Sequence, residues 1–168
     1  MRRRICLLGV TLPLALGVAP AVAATSSSSK PVKPKPVKTV CTTNVGIMIA
    51  SGGTEVTPPV QAGQEYGSAH CGPALGGGVQ SDTFTVDDSG DTLAKFTWYL
   101  HTGTVHGTYD LTPQSGAFNF LAVDYTGTLK VKGGTGAFAG AKGTGTMTCS
   151  TADGIHTTCS DKVKLTQL

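Results

Sequence analysis

Four cysteines are the residues whose type and spacing point most directly to chemistry. Beyond Cys6 in an N-terminal apolar run, the chain contains Cys41, Cys71, Cys149 and Cys159. An even number of cysteines in a chain expected to be exported predicts two disulfides rather than metal ligands or a thiol nucleophile. Three pairings can be drawn. A hairpin turn at residues 152–154 would set Cys149 and Cys159 at about the same height on adjacent strands, so the spacing favours Cys149–Cys159 and leaves Cys41–Cys71.

The histidines and the turn aspartates form no recognisable catalytic or metal pattern. No H-E-x-x-H spacing and no G-x-S-x-G elbow occurs around His70, His101, His106 or His156. Asp87, Ser89 and Asp91 alternate as in a calcium loop, but Trp98 stands where the last ligand of an EF-hand must be Glu, so we predict a turn there. We therefore expect no metal, no cofactor and no catalytic residue of a familiar type.

Two pairs of alternating aromatic residues are the candidate ligand contacts. Phe96 and Trp98 form one pair, and Phe118 and Phe120 form the other. If these faces point inward they line the lumen of a barrel, where they either fill the core or contact a small ligand. An enzyme would also need polar groups in that lumen, and the candidates are Tyr99, Tyr109, Asp110 and Asp124.

The elements that must position these residues are β-strands. Apolar residues recur with a period of two between turns rich in Gly, Asp and Pro, and no long stretch has the helical period. We expect Val45, Ile47 and Ile49 to share one face of the first strand, and residues 94, 96, 98 and 100 one face of a later strand. Further strands are predicted at 83–87, 104–111, 117–125, 128–132, 143–150 and 155–165. About eight short strands at this spacing predict an all-β, disulfide-braced barrel or sandwich.

A glycine-rich segment at residues 133–145 follows the strand at 128–132. It lacks the strand–loop–helix context of a nucleotide-binding loop, and glycines here would permit bulges and corners that let a sheet close. Together, residues 128–146 (TLKVKGGTGAFAGAKGTGT) resemble the signature of the allene oxide cyclase and dirigent superfamily, especially its small secreted bacterial members. The resemblance implies a single antiparallel barrel of eight strands with a central cavity that holds an apolar or phenolic ligand. It carries over no functional residue, because those of the family lie mostly outside the matched segment.

The N-terminal region predicts export. Three arginines, an apolar run of about 15 residues and the small residues 21–24 follow the order of a signal peptide, which we place at 1–24. The run is shorter than the roughly 20 residues of a membrane-spanning helix, so we expect a secreted protein without a transmembrane segment. Residues 25–38, rich in Ser, Lys and Pro, predict a linker, and residues 39–168 the barrel domain.

Charge separates the linker from the domain. The linker carries Lys30, Lys33, Lys35 and Lys38, which could attach weakly to an anionic cell surface, whereas residues 39–168 hold six lysines, no arginine and ten acidic residues. An acidic domain without arginine argues against a nucleic-acid partner. The sequence leaves the oligomeric state open.

Three functions fit these observations. The leading hypothesis is a secreted barrel that binds a small apolar or aromatic molecule in its lumen without catalysis. The alternatives are a cyclase- or isomerase-type enzyme acting in the cavity and a cell-surface interaction module on a basic tether.

Overall fold

Eight antiparallel strands close into a single barrel, as the sequence predicts. The computed structural model describes residues 35–51, 61–114 and 122–167. Each strand pairs with the next along the chain, and the last pairs with the first. The strands are β1 (Val37–Ala50), β2 (Ala62–His70), β3 (Gly77–Val86), β4 (Thr92–Leu100), β5 (Gly103–Pro113), β6 (Val123–Gly134), β7 (Lys142–Thr151) and β8 (Thr157–Gln167). A short helix α1 (Gly72–Leu75) joins β2 to β3, and a 3₁₀ helix (Gly136–Phe138) joins β6 to β7.

The elements differ from the predictions at several places. No strand was predicted at β2, and β3 begins six residues before the strand predicted at 83–87. β1 begins at Val37, inside the segment predicted as linker, and β6 begins at Val123, five residues before the strand predicted at 128–132. The separate strand predicted at 117–125 lies mostly outside the described residues; from Val123 onward the chain is part of β6.

The alternation along each strand divides the lumen from the outer surface. On β4, Ala94, Phe96, Trp98 and Leu100 share one face, as the sequence predicts, and the structure buries that face in the lumen. The ring of Phe96 fits because the facing position on β5 is Gly107, where an added Cβ would lie 2.9 Å from that ring. Glycines at inward positions thus leave space for aromatic rings that a barrel of eight strands otherwise could not hold.

A bulge in β1 overturns one prediction of facing. The register of β1 with β2 shifts between Val45 and Ile47, so that Gly46 is the extra residue. As a result Val45 is 5% exposed and faces the lumen, whereas Ile47 is 60% exposed and Ile49 also faces solvent. A period of two cannot reveal a bulge, because one unpaired residue moves every later side chain to the opposite face.

One end of the barrel is closed by the connections that carry the two short helices. Leu75 of α1, Phe138 of the 3₁₀ helix and Ala141 after it are buried in the core cluster. Gly136 has φ +60° and approaches the backbone of Thr102 so closely that a Cβ would overlap its carbonyl oxygen. The glycine-rich segment therefore forms a corner that places Phe138 over the lumen.

Both disulfides have the pairing that the spacing favours. Cys149 and Cys159 are direct cross-strand partners on β7 and β8. Cys41 on β1 is bonded to Cys71, which precedes α1. By loop-closure entropy the two bridges contribute about 3 and about 3.5 kcal/mol.

Two aspartates order the turns at the other end of the barrel. Asp87 accepts hydrogen bonds from the backbone N–H groups of Ser89 and Asp91 through Oδ1. Asp153 accepts them from Ile155 and His156. Both segments are thus turns closed by an aspartate side chain, the role predicted for residues 87–91 and 152–154.

Candidate functional site

The end of the barrel opposite the closed one contains a pocket of about 330 Å³. Its rim is formed by the turns between β3 and β4 and between β7 and β8, which contribute Asp87, Asp88 and Gly154. Its walls are mainly apolar and consist of Val45, Met48, Phe84, Val86, Leu111, Tyr125 and the Cys149–Cys159 disulfide. Each of these side chains occupies an inward position of its strand, so the pocket is the upper part of the lumen.

The floor of the pocket is polar. It consists of Glu65 on β2, Gln80 on β3 and Tyr109 on β5. Beneath it, the hydroxyl of Tyr109 donates to Asp82 Oδ2 at 3.1 Å, and Gln80 Nε2 donates to the same oxygen at 2.5 Å. The indole N–H of Trp98 donates to Gln80 Oε1 at 3.1 Å. Gln80 and Tyr109 are therefore held in place by their shared bonds to Asp82 and by the bond from Trp98.

Three carboxyl groups lie within the barrel. Strand alternation places Glu65, Asp82 and Asp161 at inward positions of β2, β3 and β8, and Glu65 and Asp82 are direct cross-strand partners. Asp82 is 1% exposed and Asp161 is fully buried. Oδ1 of Asp82 and both carboxyl oxygens of Asp161 have no hydrogen-bond partner among the described residues. Buried polar atoms of this kind are costly, so their presence calls for an explanation.

Burial shifts the protonation of these groups strongly. Desolvation, with the charge of Asp82 adding to it, raises the pKa of Glu65 to about 8. Desolvation raises the pKa of Asp82 to about 7, against the lowering effect of the bonds from Gln80 and Tyr109. It likewise raises the pKa of Asp161 to about 7, with a further contribution from Asp82. The three carboxyl groups therefore gain and lose their protons near neutral pH, where an exposed carboxyl is fully ionised.

The phenols around the floor respond in the same direction. Burial and the nearby charges of Asp82 and Glu65 raise the pKa of Tyr109 well above its usual value. Burial raises the pKa of Tyr125 as well, and Glu65 contributes to that rise. Both side chains are therefore neutral hydroxyls at physiological pH and can donate hydrogen bonds.

The predicted aromatic contacts lie below the pocket or outside the described residues. Phe96 and Trp98 are buried and line a narrow gap under the floor, together with Leu129, Met147 and Asp161. Neither is among the residues that line the pocket itself. Their role as ligand contacts stays a prediction. Phe118 and Phe120 fall in the segment 115–121, which lies outside the described residues.

Of the four polar residues named for an enzyme, the structure places one in the lumen. Tyr109 is buried against Asp82, whereas Tyr99, Asp110 and Asp124 are exposed. Sequence reasoning missed Glu65, Asp82 and Asp161, although a signal was present for one of them. Asp161 occurs in phase with Cys159, Val163 and Leu165, so an acidic residue shares the apolar face of its strand.

The remaining predicted residues lie on the surface or outside the described segments. All four histidines are exposed, and His156 contacts Asp153 at 2.6 Å, which lowers the pKa of Asp153 below its usual range. Lys35 and Lys38 are exposed, and Lys30 and Lys33 lie outside the described residues. Within residues 35–51, 61–114 and 122–167 no group of three or more His, Cys, Asp or Glu side chains could hold a metal ion.

Comparisons with known proteins give no relative. No protein-family model matches the chain, and no curated protein and no solved structure matches it. Among the helices that the structure describes, none has both the length and the apolar character needed to cross a membrane.

Proposed function

We propose that this protein is a secreted carrier that holds one small molecule with an apolar or aromatic body in the open end of its barrel, without transforming it. The observation that carries this proposal is the pocket of about 330 Å³. Its volume falls in the range of small-molecule sites, which is about 300 to 1,000 Å³. Its apolar walls above a polar floor also have the usual composition of such sites.

The way the pocket is built favours a ligand-binding site over a packing defect. Its walls belong to strands of a closed barrel, and the Cys149–Cys159 disulfide forms part of the lining. The floor is fixed by the hydrogen bonds that join Trp98, Gln80, Asp82 and Tyr109. A preformed cavity of this kind binds a ligand without the entropic cost of ordering its own walls.

The compartment belongs to the proposal too. The N-terminal signal pattern predicts export, and two disulfides are typical of proteins that fold in an oxidising compartment. Membership of the allene oxide cyclase and dirigent superfamily stays a prediction from residues 128–146.

A second proposal, an enzyme of cyclase or isomerase type, has one observation in its favour. Tyr109 and Glu65 face the pocket, and Tyr109 is bonded to Asp82, so a hydroxyl and a carboxyl of raised pKa meet at the floor. Such groups can donate and accept protons near neutral pH. The carrier proposal ranks first because no nucleophile or recognisable catalytic motif accompanies them in the sequence.

Titration with phenylnaphthylamine, a neutral dye whose fluorescence rises when it leaves water, tests the carrier proposal. The matched variants are Thr151→Trp and Thr148→Trp, both on β7; Thr151 lines the pocket and Thr148 faces solvent. The indole of Thr151→Trp should fill the pocket and weaken dye binding by about tenfold or more, whereas Thr148→Trp should leave it within about twofold.

Two readouts accompany the titration. Circular dichroism and a free-thiol assay establish that both variants keep the fold and the disulfides. Native mass spectrometry of protein from its own culture medium identifies a bound molecule, and its recovery unchanged after incubation separates a carrier from an enzyme. Dye binding that is equal in wild type and Thr151→Trp would overturn the pocket as the site.

A further inference from the structure

The lumen holds acidic side chains but, among the described residues, no basic one. Glu65, Asp82 and Asp161 face inward, and Tyr109 and Tyr125 are the other titratable groups around them. Every lysine and histidine of the described residues is exposed, and no arginine occurs after Arg4. Buried acids in proteins are usually paired with a cation or a set of donors. These three have neither in full.

The unpartnered oxygens are an independent sign of a missing donor. Asp82 Oδ1, both oxygens of Asp161 and the hydroxyl of Thr43 are buried without a hydrogen-bond partner. Asp161 lines the narrow gap beneath the floor, and Gln80 and Tyr109 line both that gap and the pocket. Gln80 and Tyr109 therefore stand between the pocket and the carboxyl of Asp161, and both donate to Asp82.

The rim of the pocket is also lined by acidic residues. Asp87 and Asp88 line the entrance, Asp124 and Asp153 are exposed near it, and Asp91 is half-buried in the turn between β3 and β4. Clefts lined with one sign of charge raise the local concentration of ligands of the opposite sign.

We infer that the pocket takes an organic cation, a molecule whose apolar or aromatic body lies against the walls and whose protonated amine lies on the floor beside Glu65. The inference rests on the proposed function and names the class of ligand. An ammonium group offers three donors and a positive charge, which are what the floor and the carboxyls beneath it lack. The rings of Phe84, Tyr109 and Tyr125 around the pocket add faces that attract cations.

Neutral and anionic ligands of the same shape fit the site less well. A neutral molecule leaves the buried carboxyls uncompensated, and an anion adds a like charge to them. A cation instead favours their ionised forms, so its binding should release protons from groups whose pKa values lie near 7 and 8. Affinity for a cation should therefore rise from pH 5 to pH 8, as Glu65, Asp82 and Asp161 ionise beneath rim residues Asp87 and Asp88.

Isothermal titration calorimetry with three indole compounds tests the inference on the full protein. Tryptamine, tryptophol and indole-3-acetate share one aromatic body and carry a cation, a neutral hydroxyl and an anion. At pH 8 we expect tryptamine to bind about tenfold or more tightly than tryptophol, the factor that one pKa unit of charge interaction corresponds to. Indole-3-acetate should bind least. Repeating the tryptamine titration in buffers of different ionisation enthalpy should reveal proton release near pH 7.

Charge-removing variants locate the effect. Glu65→Gln should reduce the preference for tryptamine over tryptophol by about tenfold, and Asp161→Asn should reduce it less because Asp161 lies deeper. Asp110→Asn is the matched control, since Asp110 follows Tyr109 on β5 but faces solvent. The control should keep the wild-type preference.

The outcomes separate the inference from the proposed function. Equal binding of tryptamine and tryptophol, or dye uptake without binding of either, would overturn the cation and leave the carrier standing. A preference for tryptamine that survives Glu65→Gln and Asp161→Asn would also overturn it. A protein that binds neither the dye nor any indole compound would overturn both.

Discussion

At one end of the barrel the connections fold over the lumen and fill it, whereas at the other end the strands continue into an open pocket. Phe138, Leu75 and Ala141 are buried under the closed end, and the Cys41–Cys71 disulfide ties α1 to β1 beside them. Above Trp98 and Phe96 the lumen turns polar, and then widens into the pocket. The same strands thus enclose a packed core at one end and an open pocket at the other, and the polar layer lies between the two.

The difference has a physical basis in what each end can bury. At the closed end the apolar side chains Leu75, Phe138 and Ala141, from two connections, are buried in the core. At and below the floor of the pocket, β2, β3 and β8 each carry one inward acidic residue, Glu65, Asp82 and Asp161. Carboxyls cannot pack against one another without a donor or a proton. The acidic side chains therefore prevent the lumen near the open end from being filled with apolar side chains as it is near the closed end.

Truncating an aromatic ring at each end should give the largest contrast. Phe138 and Phe84 are each 4% exposed, but Phe138 covers the closed end and Phe84 forms a wall of the pocket. Phe138→Ala should cost about 3–5 kcal/mol of unfolding free energy, because it leaves a closed cavity. Phe84→Ala only enlarges an existing pocket, so its cost should be smaller by about 1–2 kcal/mol.

Urea unfolding at fixed pH measures both costs, with the disulfides kept oxidised. Phe84→Ala should also weaken dye binding, which Phe138→Ala should not do once the variant is folded. Equal destabilisation by the two substitutions would mean that the two ends are packed alike.

The barrel and its bracing were accessible from sequence because each has a local signature. Alternation on β4 placed Phe96 and Trp98 on one face, and the turn at 152–154 placed Cys149 opposite Cys159. The predicted number of strands, antiparallel order and both disulfides are confirmed.

The pocket was less accessible, because it depends on side chains from strands far apart in the chain. Asp82 and Tyr109 are 27 residues apart and meet only after the barrel closes. The sequence named Asp110 and Asp124 as the acidic candidates for the lumen, whereas the acids that lie there are Glu65, Asp82 and Asp161. The in-phase position of Asp161 was a usable signal, whereas the inward position of Glu65 on a glycine-containing strand had no apolar pattern to reveal it.

The polar layer should make stability depend on pH. Burial raises the pKa of Asp161 to about 7, so between the unfolded value near 3.9 and about pH 7 the folded protein keeps a proton that the unfolded chain releases. Stability is therefore lost as pH rises from about 4 to about 7, and the loss is complete above that. Between pH 5 and pH 8, Asp161→Asn should therefore lose about 2–4 kcal/mol less unfolding free energy than the wild type loses.

Urea midpoints of the wild type, Asp161→Asn and Asp110→Asn at pH 5, 6, 7 and 8 give the required comparison. The wild type and the exposed control should lose stability in parallel, and Asp161→Asn should lose less. If all three curves run parallel, the carboxyl of Asp161 is not the source of the pH dependence, and the boundary between the two ends is not electrostatic.

The smallest expected effect concerns how β1 enters the open end. The bulge at Gly46 turns Val45 into the pocket wall and Ile47 toward solvent, so Val45→Thr and Ile47→Thr place the same residue on opposite faces. A hydroxyl at position 45 is buried in an apolar wall and should cost about 1–2 kcal/mol, whereas at position 47 the change should stay within about 0.5 kcal/mol. Urea unfolding measures both. If the two costs are equal and large, both side chains face the lumen, β1 has no bulge, and the wall of the pocket beside Met48 must be redrawn.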